Sequence, residues 1–198
     1  RTSLLAWTTT PWTLPGNVGL AVGEKLTYVV VEKDDEGPDG RVRFVLAKDL
    51  VAQVFEGSEY EVVAELSGAD LVGLEYEPLF PYMKDMVEGE EKNKLEQNAY
   101  RVYAADFVTT EEGTGIVHTA VMYGIDDFVF GTAVGLPKFH LVNLDGTFIK
   151  GTDYLEGRFV RDEDLAVDII KDLAKRDLLF AKFKYEHSYP FCWRCKTA

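Results

Sequence analysis

Three consecutive threonines, Thr8, Thr9 and Thr10, lie between Trp7 and Pro11-Trp12 in the stretch WTTTPWTLPGN, residues 7–17. Each hydroxyl can donate one hydrogen bond and accept others, so the run could hold a ribose, a carbonyl or a water. Pro11 removes a backbone donor and biases Thr10 towards an extended conformation. A central β-ladder therefore cannot simply continue through it, and some polar groups are left to meet a ligand or solvent. On residue types alone, a threonine-rich β-edge is the better account of this run. A second constellation is GTGIVH at 113–118, followed by Gly124-Ile125-Asp126-Asp127. Gly113 and Gly115 permit a positive φ or a close backbone approach. The segment 116–118 reads as a short buried strand ending in the titratable ring of His118. Asp126 and Asp127 precede a helical stretch at 128–134, where carboxylates act as caps. A satisfied core histidine and a capping aspartate explain these residues as well as a site does. No G-x-S-x-G elbow is present, and His118, His140 and His187 alone do not suggest a three-histidine metal site. The third constellation is Cys192-Trp193-Arg194-Cys195, which supplies half of a four-thiolate zinc site; no second pair exists in the chain. A plain structural or disulfide-prone pair is the other account.

The elements that must position these groups are mostly β in the first half. Residues 4–10 are apolar and threonine-rich, which favours a strand. Residues 17–22 are a further short strand candidate. Residues 27–32 and 41–46 form an expected hairpin around the polar turn at 33–40, with Val42, Phe44 and Leu46 on one face. At 47–55 the period changes to that of a short amphipathic helix. Residues 60–66 and 99–105 return to strand. The charged segment 84–98 has little apolar periodicity and reads as an exposed loop. Residues 162–176 form a helix, with Leu165, Ile169, Ile170 and Leu173 in one stripe, acids in the first turn and bases in the last. Many short strands with a few helices point to an α+β or all-β barrel class. Neither G-x-G-x-x-G nor G-x-x-x-x-G-K-[ST] occurs.

The chain has 198 residues, enough for one large domain, or one domain and part of another. Its hydrophobic content, 46%, is too high for a disordered chain. No apolar run approaches a membrane span, and no signal peptide is read at the start. Two cysteines fit a reducing cytoplasm. A net charge of −13 argues against long contacts with a phosphate backbone, but not against a pocket for one terminal nucleotide. The ends read as those of an excised domain.

Together the segments at 7–17, 113–118 and 124–127, and HSYPFCWRC at 187–195, resemble the editing (CP1) domain inserted in isoleucyl-tRNA synthetases, in family order over nearly the whole chain. The triple threonine is the specific feature; valyl and leucyl relatives usually carry an arginine in that motif. The resemblance implies a mainly β domain with α elements, a β-barrel-like core with peripheral helices. It implies an editing domain over 1–186 and, from 187 to 198, the start of a zinc-knuckle segment leading back to a catalytic domain. It implies hydrolysis of valine from the 3′-terminal adenosine of isoleucine tRNA. Such a reaction is needed because an apolar pocket only weakly rejects a side chain one methylene smaller, a limit for which this very synthetase is the standard illustration.

On this resemblance, Thr8, Thr9 and Thr10 line the pocket, hold the ribose or carbonyl and orient water. His118 walls the amino-acid pocket, and Asp127 holds the α-ammonium. Trp12, Asn17, Gly115 and Asp126 lie at the same pocket. Cys192 and Cys195 match a zinc module whose partner cysteines precede Arg1, so zinc belongs to the longer enzyme. ATP belongs to a catalytic domain whose HIGH and KMSKS motifs are absent here. The expected partners are the CCA end of isoleucine tRNA and valine, in a cytoplasmic monomer with no membrane contact. The chain departs from the family pattern at Val121, where proline is usual, and at Ile125, where glutamate or alanine is common. Two other functions are compatible with these residues: a non-catalytic module that docks the CCA end, and a valyl-type editor that removes threonine.

Overall fold

A computed structural model describes residues 1–34, 40–183 and 194. The expected hairpin is formed by β3 (Thr27–Asp34) and β4 (Arg41–Ala47), paired antiparallel with Val30 opposite Val45. Alternation of β-branched and polar residues sets this register, because a one-residue slip would turn the apolar face outward. On its polar face, Glu32 is paired with Arg41 and, at 2.8 Å, with Arg43. β1 (Thr2–Leu4) adds to β4 in parallel, and β5 (Glu61–Ser67) adds to β3 antiparallel. The four-stranded order is β1-β4-β3-β5. A second sheet has β2 (Gly19–Val22) at its centre, parallel to β6 (Arg101–Ala104) and antiparallel to β7 (Ile116–Thr119).

The two sheets share one core. Tyr28, Val45 and Ala47 of the first pack with Leu20, Val22, Val102 and Ile116 of the second. Burying the Tyr28 ring requires a partner for its hydroxyl. That hydroxyl donates to the Gly115 carbonyl at 2.7 Å and accepts from the Gly23 N–H at 2.9 Å, tying the sheets together. The barrel-like core therefore takes the form of two mixed sheets, and the described strands close no barrel.

Helices surround these sheets. The short α1 (Val51–Val54) follows β4, as the change of period predicts, and α2 (Gly68–Leu71) is opened by a capping box between Ser67 and Asp70. The segment read as an exposed loop is instead two helices, α3 (Tyr82–Met86) and α4 (Gly89–Asn98). The sequence hides α4 because only Leu95 is buried. Its helical form is supported by Lys94 reaching Glu90 at 3.0 Å and Glu91 at 2.7 Å across one turn. α5 (Ile125–Ala133) follows β7, and α6 (Glu163–Lys175) is the helix the stripe predicts, burying Leu165, Ile169 and Leu173. A larger cluster of Phe80, Met83, Leu136, Leu141, Phe148 and Leu155 joins α6 to α3 and α4. No helix among the described residues is long and apolar enough to cross a membrane.

Candidate functional site

The strand expected over 4–10 stops at Leu4, and only Trp7 rejoins a ladder, as an isolated parallel bridge to Val117 of β7. Two local effects end it. Thr8 Oγ1 accepts the Thr10 N–H at 3.0 Å, and Pro11 opens a 3-10 turn, Pro11–Gly16. A hydroxyl that captures a nearby backbone N–H competes with strand pairing. Thr10, at φ −128° and ψ 80°, is the hinge between the two. Its hydroxyl lies 3.5 Å from that of Thr8.

The 3-10 turn then returns Thr13 to Thr10. The Thr13 N–H and Oγ1–H both donate to the Thr10 carbonyl, at 3.1 and 2.9 Å. The same Thr13 oxygen lies 3.1 Å from Nε2 of His118. His118 faces Leu20 of β2 in the ladder and shares its side of β7 with the buried Ile116. At this point the core between the sheets gives way to the threonine segment. Burial pushes the imidazole down to about 4. The ring is therefore neutral at physiological pH. Sequence reasoning missed Thr13. The available signal was its three-residue spacing from Thr10 across a proline that starts a helical turn.

Asp127 is brought to the same strand. Its Oδ1 accepts the Ala120 N–H at 2.8 Å, two residues beyond His118. The N-cap of α5 is Gly124, which has no side chain to cap with; the Asp127 carboxylate, in the first turn, also accepts its own backbone N–H, and Asp126 is an exposed first-turn residue. Gly124 leaves room for this arrangement, since a Cβ there would lie 2.4 Å from Asp127 Oδ2. Burial pushes the Asp127 carboxyl above the ordinary aspartate range, and the bond from Ala120 pulls it part of the way back. Gly113 and Gly115 both have the positive φ expected, 75° and 72°. A Cβ on Gly115 would meet the Ala47 Cβ at 2.4 Å, and one on Gly113 would meet Trp7 at 3.0 Å. These glycines let the turn before β7 pass against the first sheet and Trp7.

Beside the polar network lies an open apolar cleft of about 500 Å³, lined in part by Trp12, Val121, Tyr123, Ile125, Phe128 and Val129. Trp12 stands edge-on to Tyr123, with ring centroids 5.1 Å apart. Tyr123 is fixed by accepting the Leu141 N–H at 2.8 Å. Both departures from the resembled pattern fall here. Val121 is buried at the base, against Gly131, and Ile125 is 85% exposed at the mouth. Asn17 is buried, and both ends of its amide are engaged, donating to Gly19 O and accepting from the Tyr76 hydroxyl. Its observed contacts are those of a brace between segments. Cys192 and Cys195, and the boundary at 187, lie outside the described residues. Among the described residues no cluster of three or more His, Cys, Asp or Glu could hold a metal ion.

These pKa shifts have a testable sign. The folded-state pKa of His118 lies below its unfolded value of 6.5, so the stability it contributes is present above about pH 6.5 and is lost as pH falls towards about 4. Asp127, shifted upwards, acts in the opposite sense. His118→Phe is expected to flatten the acid side of a Tm–pH curve in that window. Parallel curves for wild type and variant would contradict the shift.

The architecture is that of an aminoacyl-tRNA synthetase editing domain. It superposes on the structure of GlLeuRS-CP1 with a TM-score of 0.67 at 15% identity, over 93% of this chain and 85% of that one. The Plasmodium knowlesi cytosolic leucyl-tRNA synthetase editing domain gives 0.51 at 14% identity, over 88% and 71%. No protein-family model matches the chain. By sequence the chain is similar to one segment of isoleucine–tRNA ligases. It is 43% identical to that of Clostridium tetani over 195 residues, and 44% identical to that of Bacillus thuringiensis over 193, in each case across 98% of this chain. The ligase of Bdellovibrio bacteriovorus is 42% identical over 198 residues. The chain spans about 17% of the length of these relatives.

Proposed function

We propose that this chain is a post-transfer editing site that hydrolyses valine from the 3′-terminal adenosine of isoleucine tRNA. The observation that carries the reading is the hydrogen-bonded network of Thr8, Thr10, Thr13 and His118, with the Asp127 carboxylate anchored at the end of the same strand. Similarity to isoleucine–tRNA ligases supports the substrate class.

The chemistry asked of the protein is modest. An aminoacyl ester is activated, so a positioned water can attack its carbonyl carbon without a covalent nucleophile. The attack forms a tetrahedral oxyanion, and collapse expels the ribose oxygen, which leaves as a hydroxyl carrying the equivalent of the proton that the water gives up. Donors already in place for that oxyanion lower the barrier. Thr8 Oγ1 accepts the Thr10 N–H and keeps its own proton, and the Thr10 hydroxyl lies 3.5 Å from that of Thr8. Both hydroxyls can therefore donate, and Thr9 completes the run. Asp127 receives the α-ammonium, a charge-assisted contact that an ordinary ester cannot make. The side chain of valine enters the apolar cleft beside Trp12; neutral His118 is not part of that lining and joins the site through Thr13. Val121 and Ile125 set that cleft's base and mouth. In the longer protein, Cys192 and Cys195 have the donors and spacing for half a zinc site, and no editing step uses it.

The test uses a full-length ligase carrying this domain. Thr10→Val keeps the shape and removes the hydroxyl. It is expected to slow hydrolysis of valyl-tRNA about 100-fold, the lower end of the range for losing one oriented donor, and to leave isoleucylation unchanged. Equal deacylation by wild type and variant would remove the threonine run from the reaction.

A further inference from the structure

Thr13 occupies a position that the hydrolysis scheme above does not use. Its side chain is buried, with the residue 7% exposed, so solvent cannot replace its partners. Its oxygen touches the Thr10 carbonyl at 2.9 Å and His118 Nε2 at 3.1 Å. A hydroxyl has one proton to give, and a carbonyl can only accept. Two oxygens 2.9 Å apart with no proton between them would set lone pair against lone pair. The Thr13 proton therefore points to Thr10, and Thr13 accepts from the ring. This assigns the His118 proton to Nε2.

The other ring nitrogen gives the same answer. Nδ1 of His118 is buried and has no hydrogen-bond partner among the described residues. A proton there would be an orphaned buried donor, which folded proteins avoid more strictly than an idle acceptor. Nε2 is thus the ring's only polar anchor among the described residues, and Thr13 is its only partner there.

Resting on the editing reading, we propose that Thr13 is a positioning residue for hydrolysis: its hydroxyl fixes the tautomer and rotation of His118 and locks the ring to the Thr10 carbonyl. One hydroxyl thereby couples two segments 105 residues apart in sequence. The His118 ring and the donor-bearing threonine run are thereby held as one body. Thr13 itself need not touch the substrate.

The experiment measures single-turnover hydrolysis of valyl-tRNA by a full-length ligase. Thr13→Val and Thr13→Ser are each made in wild-type and His118→Ala backgrounds, with isoleucylation as the control. Thr13→Val is expected to lower kcat about tenfold with KM little changed. Thr13→Ser, which keeps the hydroxyl, should stay within about twofold of wild type. In the His118→Ala background, Thr13→Val should cost less than a further twofold, because the residue through which it acts is gone. A tenfold loss from Thr13→Ser overturns the proposal, even if Thr13→Val does not fold. Equal losses from Thr13→Val in both backgrounds also overturn it, while leaving the editing reading intact. A His118→Ala enzyme as fast as wild type removes His118 from the reaction and this proposal with it.

Discussion

Asp127→Asn is expected to remove most valyl-tRNA hydrolysis and, at neutral pH, to make the domain more stable. The two effects have one cause. Burial holds the Asp127 carboxyl above its ordinary range, so folding disfavours the ionised form. Stability linked to this group is fully present below the unfolded pKa and is lost as pH rises through the raised folded value. Above the raised folded value the carboxylate is ionised and its desolvation is a standing cost. Asparagine removes the charge and retains an oxygen that can accept from Ala120, whose N–H now donates to Oδ1 at 2.8 Å. Activity moves the other way, since the α-ammonium loses its counter-charge. A hydrogen bond to a charged group contributes about 1.5–3 kcal/mol, which corresponds to roughly 10- to 150-fold in rate. Deacylation by a full-length ligase and a thermal melt at pH 7 read the two halves. A lower Tm with undiminished hydrolysis would show that Asp127 is a structural brace.

Gly115→Ala is expected to produce the largest loss of stability of any single methyl group added near the site. Gly115 has a φ of 72°, and a Cβ there would lie 2.4 Å from the Ala47 Cβ. Neither party is the end of a flexible chain: Ala47 closes β4 and its N–H donates to the Thr114 carbonyl at 2.9 Å. The left-handed conformation costs an L-residue about 1–2 kcal/mol, and overpacking adds about 1–3 kcal/mol. The total, about 2–5 kcal/mol, lowers Tm by roughly 5–15 °C in a domain of this size. Gly113→Ala, whose Cβ would meet Trp7 at a looser 3.0 Å, should cost less. Melting of both variants checks the order, and equal, small shifts would mean the turn can move away from the first sheet.

The parts of the fold legible in the sequence are those where one periodic face meets one core. The β3–β4 hairpin and α6 show their stripes because each buries a single side. α4 was hidden because glutamate–lysine pairs and one leucine hold it, a pattern that reads as a solvated loop. The strand at 4–10 was overextended because a threonine-rich stretch has the composition of a strand; the hydroxyl of Thr8 turns the backbone instead. At the site, the three motifs were legible as residue types. Their convergence rested on the family resemblance and not on residue types, since Asp127 had the signature of a helix cap and also accepts the Ala120 N–H just past β7. Thr13 passed unnoticed because its role depends on a 3-10 turn that only the folded chain displays.

The contact between Thr13 and His118 also sets when this site can first exist. The threonine run precedes β7 in the chain, and its contact with His118 needs the turn at 113–115 seated on the first sheet and β7 paired with β2. No partial product of translation or proteolysis that ends before Asp127 can contain a working pocket. On the proposed function, proofreading competence therefore waits on residues 113–127 and not on the threonine run alone.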